Sequence, residues 1–151
     1  IYWDGGVVRD VEFTQDGQSL LMACEDGSMK SWNLNAGTAT VIAPAAGKPA
    51  ISLAVNPVTG KVAVCGMMRE LREADPAASA VTAETRLPFG GYSAVAYSSD
   101  GSLIAVGGRA GNVLLFPAND LSSPRFESSR HDSAVTDVCF SADSKLLTLS
   151  C

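Results

Sequence analysis

The chain repeats itself about every 42 residues, and no other feature restricts its fold as tightly. Four alternating apolar segments close at Phe13 ("VRDVEF"), Val55 ("ISLAV"), Tyr97 ("SAVAY") and Phe140 ("VTDVCF"), separated by 42, 42 and 43 positions. At the same shift, Trp32 of "MKSWNL" falls on Ala74 of "ELREAD" and on Phe116 of "VLLFPA", each ending a short alternating segment. The turn residues keep step, since Asp26 and Gly27 align with Met68 and Arg69, and again with Ala110 and Gly111. A fixed period of this length marks a structural unit that cannot bury its apolar face alone and must stack on its neighbours.

Inside each unit the apolar residues alternate or cluster over a few positions between turn formers, which is a strand signature, and helical spacing is weak throughout. The first unit runs "VVRDVEF", "SLLMAC", "SMKSWNL" and "ATVIA", with turns at "TQDGQ", "EDG" and "NAGT". The third repeats this as "YSAVAY", "LIAVGG", "VLLFPA" and a weaker closing strand near Arg125 to Ser128. Asp-Gly and Gly-Asn supply the positive backbone dihedrals that tight antiparallel hairpins need. The expectation is an all-β chain of about three and a half four-stranded units, over 5–45, 47–88, 91–130 and an incomplete 131–151.

A four-stranded unit of this length whose third strand ends in Trp-Asp resembles the blade of a WD40 β-propeller. The residues carrying the resemblance are "DGSMKSWNL", where Trp32 and Asn33 match the Trp-Asp pair. Ala74-Asp75 and Phe116-Pro117 replace that pair in the next two units. The Gly-His that opens such blades survives only as Arg130-His131, with Asp4, Ala46 and Pro88 at the corresponding places elsewhere. The resemblance implies a propeller whose first three blades lack the complete His, Asp, Ser/Thr and Trp network and rest on apolar packing and hairpin turns.

The glycines of "GGRAGN" (Gly107 to Asn112) pose the alternative of a phosphate loop. A dinucleotide fingerprint needs Gly-x-Gly-x-x-Gly between a strand and a helix, so that the helix N-terminus faces the phosphates. Here the spacing is wrong, a strand ("VLLF") follows, and the other units place "CEDGS" and "GMMRE" at the same point. "GGYSAV" likewise lacks the closing glycine and the helix of a nucleophile elbow. With one histidine, His131, no metal-binding spacing and four scattered cysteines, the chain offers no catalytic or metal constellation and no cofactor is expected. Cys24, Cys65, Cys139 and Cys151 are expected to be buried thiols. The apolar strands "LIAVGG" and "KVAVCG", taken as inner strands, argue against an enzyme with acids lining a central channel.

A net charge of −5 provides no basic face for nucleic acid, and no apolar run is long enough to span a bilayer as a helix. No signal peptide is expected from the opening "IYWDGGVVRD", which has no basic segment followed by an apolar one. Asp10 and Asp137 match at the offset between the first and fourth units, which assigns them to hairpin geometry; His131 is expected to tie its blade together. "READP" at Arg72 to Pro76 has the alternating charge of a solvated strand face. Met67, Met68 and Arg69 stand where the other units have a Gly turn, and an exposed Met-Met-Arg tip is an adaptable apolar and cationic contact surface.

Cys151 aligns with Cys24, inside a second strand, so the sequence is expected to be part of a longer chain, with the rest of the propeller or an oligomer covering its open blade faces. "AVAYSSDGSLIAVGGRAGNVLLFPANDL" (Ala94 to Leu121) and "AVTDVCFSADSKLL" (Ala134 to Leu147) are similar to the C-terminal propeller of the actin-interacting WD-repeat family, cofactors of cofilin in filament disassembly. That resemblance implies a non-catalytic, cytoplasmic, cytoskeleton-associated scaffold with actin or actin-bound cofilin as partner. Microtubule or ciliary propellers, which also use His-poor blades, are the alternative.

Overall fold

The structure is a computed structural model that describes residues 6–88, 90–128, 131–145 and 147–150. Every regular element in it is a strand. β1 (Val8–Phe13), β2 (Ser19–Cys24), β3 (Met29–Asn33) and β4 (Thr38–Ala43) form one antiparallel meander. β5 (Ala50–Val55), β6 (Val62–Gly66), β7 (Glu70–Asp75) and β8 (Ala80–Arg86) form the second. β9 (Tyr92–Tyr97), β10 (Leu103–Gly108), β11 (Val113–Pro117) and β12 (Phe126–Ser128) form the third, and β13 (Asp137–Phe140) with β14 (Leu147–Ser150) the two strands of a fourth.

The sheets stack with their first strands side by side, β1 against β5, β5 against β9 and β9 against β13, so these strands lie at the axis of the arc. The strands "KVAVCG" and "LIAVGG" are β6 and β10, one place out from the axis, which corrects their assignment as channel-lining. The innermost strands instead carry Asp10, Glu12 and Asp137.

Side-chain alternation in each strand feeds two seams at once, because opposite faces of one sheet meet different neighbours. Leu21, Ala23, Met29 and Ile42 of the first sheet pack on Leu53, Val62, Val64 and Ala74 of the second. Ala54, Ala63, Cys65 and Leu71 of the second pack on Val95, Tyr97, Ile104, Leu114 and Phe116 of the third. Ala94, Ala105 and Val113 then meet Val135 and Val138, with Phe140, Leu147 and Leu149 half-buried beside them. Ala-rich faces let successive sheets approach closely, and Phe116 fills the second seam where Ala74 fills the first.

Three expectations are corrected by this packing. Met68 is 2% exposed and belongs to the first seam, because the backbone bend at 67–69 turns it inward. Arg72 and Glu73 are buried, since β7 has a sheet on either side: Arg72 faces the first sheet and Glu73 the third. Cys139 is exposed, on the face of β13 turned away from the third sheet, whereas Cys24 and Cys65 are buried. Burial raises the Cys65 thiol far above its ordinary range and also raises Cys24, so both stay protonated. Cys151, Arg130 and Asp4 lie outside the described residues.

Candidate functional site

Two rims of loops flank the sheets, and each is built by short side chains that fold the backbone onto itself. On one rim, between the first and second strands of each unit, a hydroxyl donates to a carboxylate two residues on: Thr14 to Asp16, Ser98 to Asp100 and Ser141 to Asp143, each at 2.6 Å. The same carboxylates accept backbone N–H groups from Gln18, Ser102 and Lys145. Asn56 does the equivalent work in the second unit, accepting from Val58 and Thr59. Between third and fourth strands, Asn33 accepts from Asn35 and Ala36, and Asp75 from Ala77 and Ala78. The second residue of the Trp-Asp pair is thus a turn builder in both units where it is polar.

These bonds hold the carboxylates ionised. The Ser98 hydroxyl and the N–H and hydroxyl of Ser102 lower Asp100 to about 2, and Asp16 and Asp143 are lowered by their Thr14 and Ser141 hydroxyls. A depressed carboxylate stabilises the fold fully above its unfolded value near ~4, and that stabilisation is lost as pH falls through the folded value. Asp100→Asn is therefore expected to flatten the fall of the thermal midpoint between about pH 4 and pH 2, as followed by circular dichroism. An unchanged acid limb would refute the role of this turn. A cleft of about 340 Å³ between the first two units is lined by Thr14, Asp16, Ser31 and Asp75. Its carboxylates are the turn builders just described, so they are committed to backbone.

The opposite rim carries the residues singled out by the repeat. Asp26 Oδ1 accepts the N–H and hydroxyl of Ser28, which lowers its pKa. Gly27, with φ of +83°, lies against the backbone of Ala46 and Lys48, and Gly111, with φ of +78°, against His131 and Ser133. The tip of each hairpin is thereby docked on the segment that leads into the next sheet, and the half-buried His131 contributes its backbone to that docking. Asp137 is exposed and its Oδ1 accepts the N–H of Val138 at 2.8 Å. Trp32 is half-buried on the outward face of the first sheet, and Phe116 fully buried.

Of the Met-Met-Arg tip, Met67 and Arg69 remain at the surface, and Arg69 donates to the Pro88 carbonyl at 2.8 Å. The repeat brings a third residue to them, Arg109, which stands at the same position of its unit as Met67. A Cβ added to Gly91 would meet Arg109 Cδ at 3.1 Å and Met67 Sδ at 3.5 Å, so both side chains lie over that glycine. The 42-residue period by itself sets Arg109, one step before the Ala-Gly turn, at the position of Met67. Among the described residues, no group of three or more His, Cys, Asp or Glu is placed to hold a metal ion.

At the end of the sheets nearer the Ser-Asp turns, the second seam holds a polar network that the repeat does not announce. Glu73 accepts from Tyr97 Oη, Lys61 Nζ and Thr82 Oγ1, each at 2.9 Å. On the opposite face of β7, in the first seam, Arg72 donates through Nη1 to the Pro44 carbonyl at 3.0 Å. Its Nε lies 3.1 Å from Glu84 Oε2, a charge contact whose direction does not make a hydrogen bond.

Stacked four-stranded meanders with their first strands at the axis define a WD40-type β-propeller, here three complete blades and two strands of a fourth. The family model for the WD domain, G-beta repeat, matches residues 3–33 and 122–151. A chain in the "Crystal Structure of Mitotic Checkpoint Complex" superposes with a TM-score of 0.86 over 98% of this sequence, at 20% identity. The chain spans 45% of that protein's length. No curated protein matches the sequence.

Proposed function

We propose that this chain is a non-catalytic scaffold that binds a protein partner through the loop surface around Met67, Arg69 and Arg109. The observation that carries the reading is the meeting of Met67 and Arg109 over Gly91, which joins the hairpin tips of two blades into one apolar and cationic patch. A thioether adapts to varied apolar surfaces and arginine is among the residues that concentrate binding energy. The carboxylates of the opposite rim are engaged in turns, which supports a structural rather than a catalytic use for them. The partner proposed is actin, alone or with cofilin, in filament disassembly, and the location cytoplasmic and cytoskeleton-associated. Its support is the resemblance of Ala94 to Leu121 and Ala134 to Leu147 to the actin-interacting propellers.

Co-sedimentation with actin filaments, with and without cofilin, tests it. The wild-type chain is expected to pellet, and Met67→Ser with Arg109→Glu to weaken pelleting about tenfold, the effect of losing ~1.4 kcal/mol at a contact centre. Pelleting that is indifferent to the double substitution would dismiss the patch. Binding to microtubules and not to actin would replace the partner while keeping the scaffold.

A further inference from the structure

We propose that the patch around Met67 and Arg109 takes an acidic segment of its partner, an apolar side chain flanked by carboxylates. The proposal rests on the reading above and specifies the chemistry that this surface selects.

The two rims of the blades differ in charge. Loops joining first to second and third to fourth strands emerge on one rim, where the turn-building carboxylates of Asp16, Asp75, Asp100, Asp120 and Asp143 gather. Loops joining second to third strands, and each blade to the next, emerge on the other. That second rim holds Lys48, Arg69, Arg86 and Arg109, all exposed. In a chain of net charge −5, these cations stand apart from the turn carboxylates.

The acids that share the rim do not neutralise the patch. Glu25 is paired with Arg9, and Asp26 is turned onto the N–H and hydroxyl of Ser28. Glu70 is half-buried and stands across the β7–β8 ladder from Arg86. Asp132 lies in the segment entering the fourth blade. Among the described residues, Lys48 and Arg109 form no ion pair. An exposed cation without an internal partner is open to a carboxylate from outside.

The backbone sets these side chains in a row. Lys48 precedes Pro49, whose carbonyl accepts the Met67 N–H at 2.8 Å. Met67 lies over Gly91, whose carbonyl accepts the Arg109 N–H at 3.0 Å. Met67 is 38% exposed and supplies the apolar centre, with cations on the elements before and after it. Its thioether adapts to an aliphatic side chain of varied shape. Arg69 Nη2 donates to the Pro88 carbonyl, in the loop that leads to Gly91. A guanidinium has five N–H donors in a planar fork, so one anchored corner leaves the rest oriented for a carboxylate. The row lies between the second and third blades, each with all four strands. A long polyanion would meet the field of the whole acidic chain. A short acidic segment engages the row within the roughly 8 Å over which charges act at physiological salt.

Fluorescence anisotropy on the full chain with the labelled peptide GDELEDG provides the test, with circular dichroism to verify folding. Wild type is expected to bind it saturably and to lose about tenfold in affinity as salt rises from ~50 mM to ~500 mM. The amide counterpart GNQLQNG should not bind, and GDESEDG should bind more weakly for want of the apolar anchor. Arg109→Glu and Lys48→Glu should each weaken binding of GDELEDG about tenfold. Arg125→Glu, on the acidic rim, should leave it unchanged. No binding at low salt, equal binding of the amide or serine peptide, or indifference to both charge reversals would overturn the proposal. So would salt-sensitive self-association in sedimentation velocity that Arg109→Glu abolishes, since the acidic rim of a second copy would then be the occupant. Filament pelleting lost in Met67→Ser with Arg109→Glu, without any binding of GDELEDG, would keep the docking surface and overturn its acidic preference alone. Peptide binding without filament pelleting would remove actin and uphold the acidic preference.

Discussion

Glu73→Ala is expected to destabilise the chain by roughly 3 kcal/mol, seen as a lower urea midpoint with an unchanged slope. Glu73 is 2% exposed, and its carboxylate accepts the phenol O–H of Tyr97, itself buried between the second and third blades. Burial first and Glu73 second raise the tyrosine far above its ordinary range, so it remains a donor at any working pH. Removing the acceptor leaves a buried hydroxyl unsatisfied, at about 1 to 3 kcal/mol, and opens a void where the side chain stood. Lys61 contributes less than the pairing suggests, because its side chain is 36% exposed and water can replace the carboxylate. Glu73→Gln should therefore cost less than Glu73→Ala, as it retains an acceptor for the phenol. Glu73→Leu combined with Tyr97→Phe should recover much of the loss, since no polar group is then stranded. If the alanine and glutamine variants are equally stable, the network is ornamental to the seam.

That network marks where the sequence stopped being informative. The strand order, the unit length and the turns at Asp26-Gly27 and Gly111 were legible because they rest on local chemistry repeated at a fixed interval. Burial on both faces of β7 was not, because alternating charge reads as a solvated face unless the neighbouring blades are already in place. Arg72 and Glu73 find their partners 28 and 24 positions away, at Pro44 and Tyr97, a separation no local pattern encodes. Met68 misled for a related reason. Losing the Gly turn of the other units freed the 67–69 segment to bend, and the seam beneath it took the one side chain that the bend turned inward. The loop patch emerges only when two units are laid side by side, since Met67 and Arg109 are unremarkable until the fold superposes their positions over Gly91.

Gly111→Ala is expected to be more damaging than a change of one methyl group ordinarily is, at roughly 3 kcal/mol or more. Two costs combine there. The backbone has φ of +78°, where a side chain costs roughly 1 to 2 kcal/mol. A Cβ would also overlap the His131 carbonyl oxygen and come within 3.0 Å of the Ser133 carbonyl oxygen, and backbone cannot step aside as a flexible side chain can. The protein contains the controls that separate these costs. Gly37 has φ of +66° with nothing within 4 Å of an added Cβ, so Gly37→Ala should lose only the conformational part. Gly66 has no positive φ, yet its Cβ would strike the Pro49 carbonyl and lie 2.8 Å from Ala50 Cα, so Gly66→Ala isolates the steric part. Urea unfolding of the three variants should therefore rank Gly37→Ala as mildest and Gly111→Ala as most severe. A Gly111 variant no worse than the Gly37 variant would mean that the hairpin tip is not docked on His131 at all. The severity at Gly111 also explains its place in the repeat. Gly27 has the same left-handed backbone and the same close approach to the segment entering the next blade, against the backbone of Lys48 and Ala46. Hairpin tips locked in this way need a residue without a side chain; in the second blade Arg69 stands at that position and reaches the Pro88 carbonyl through its guanidinium instead.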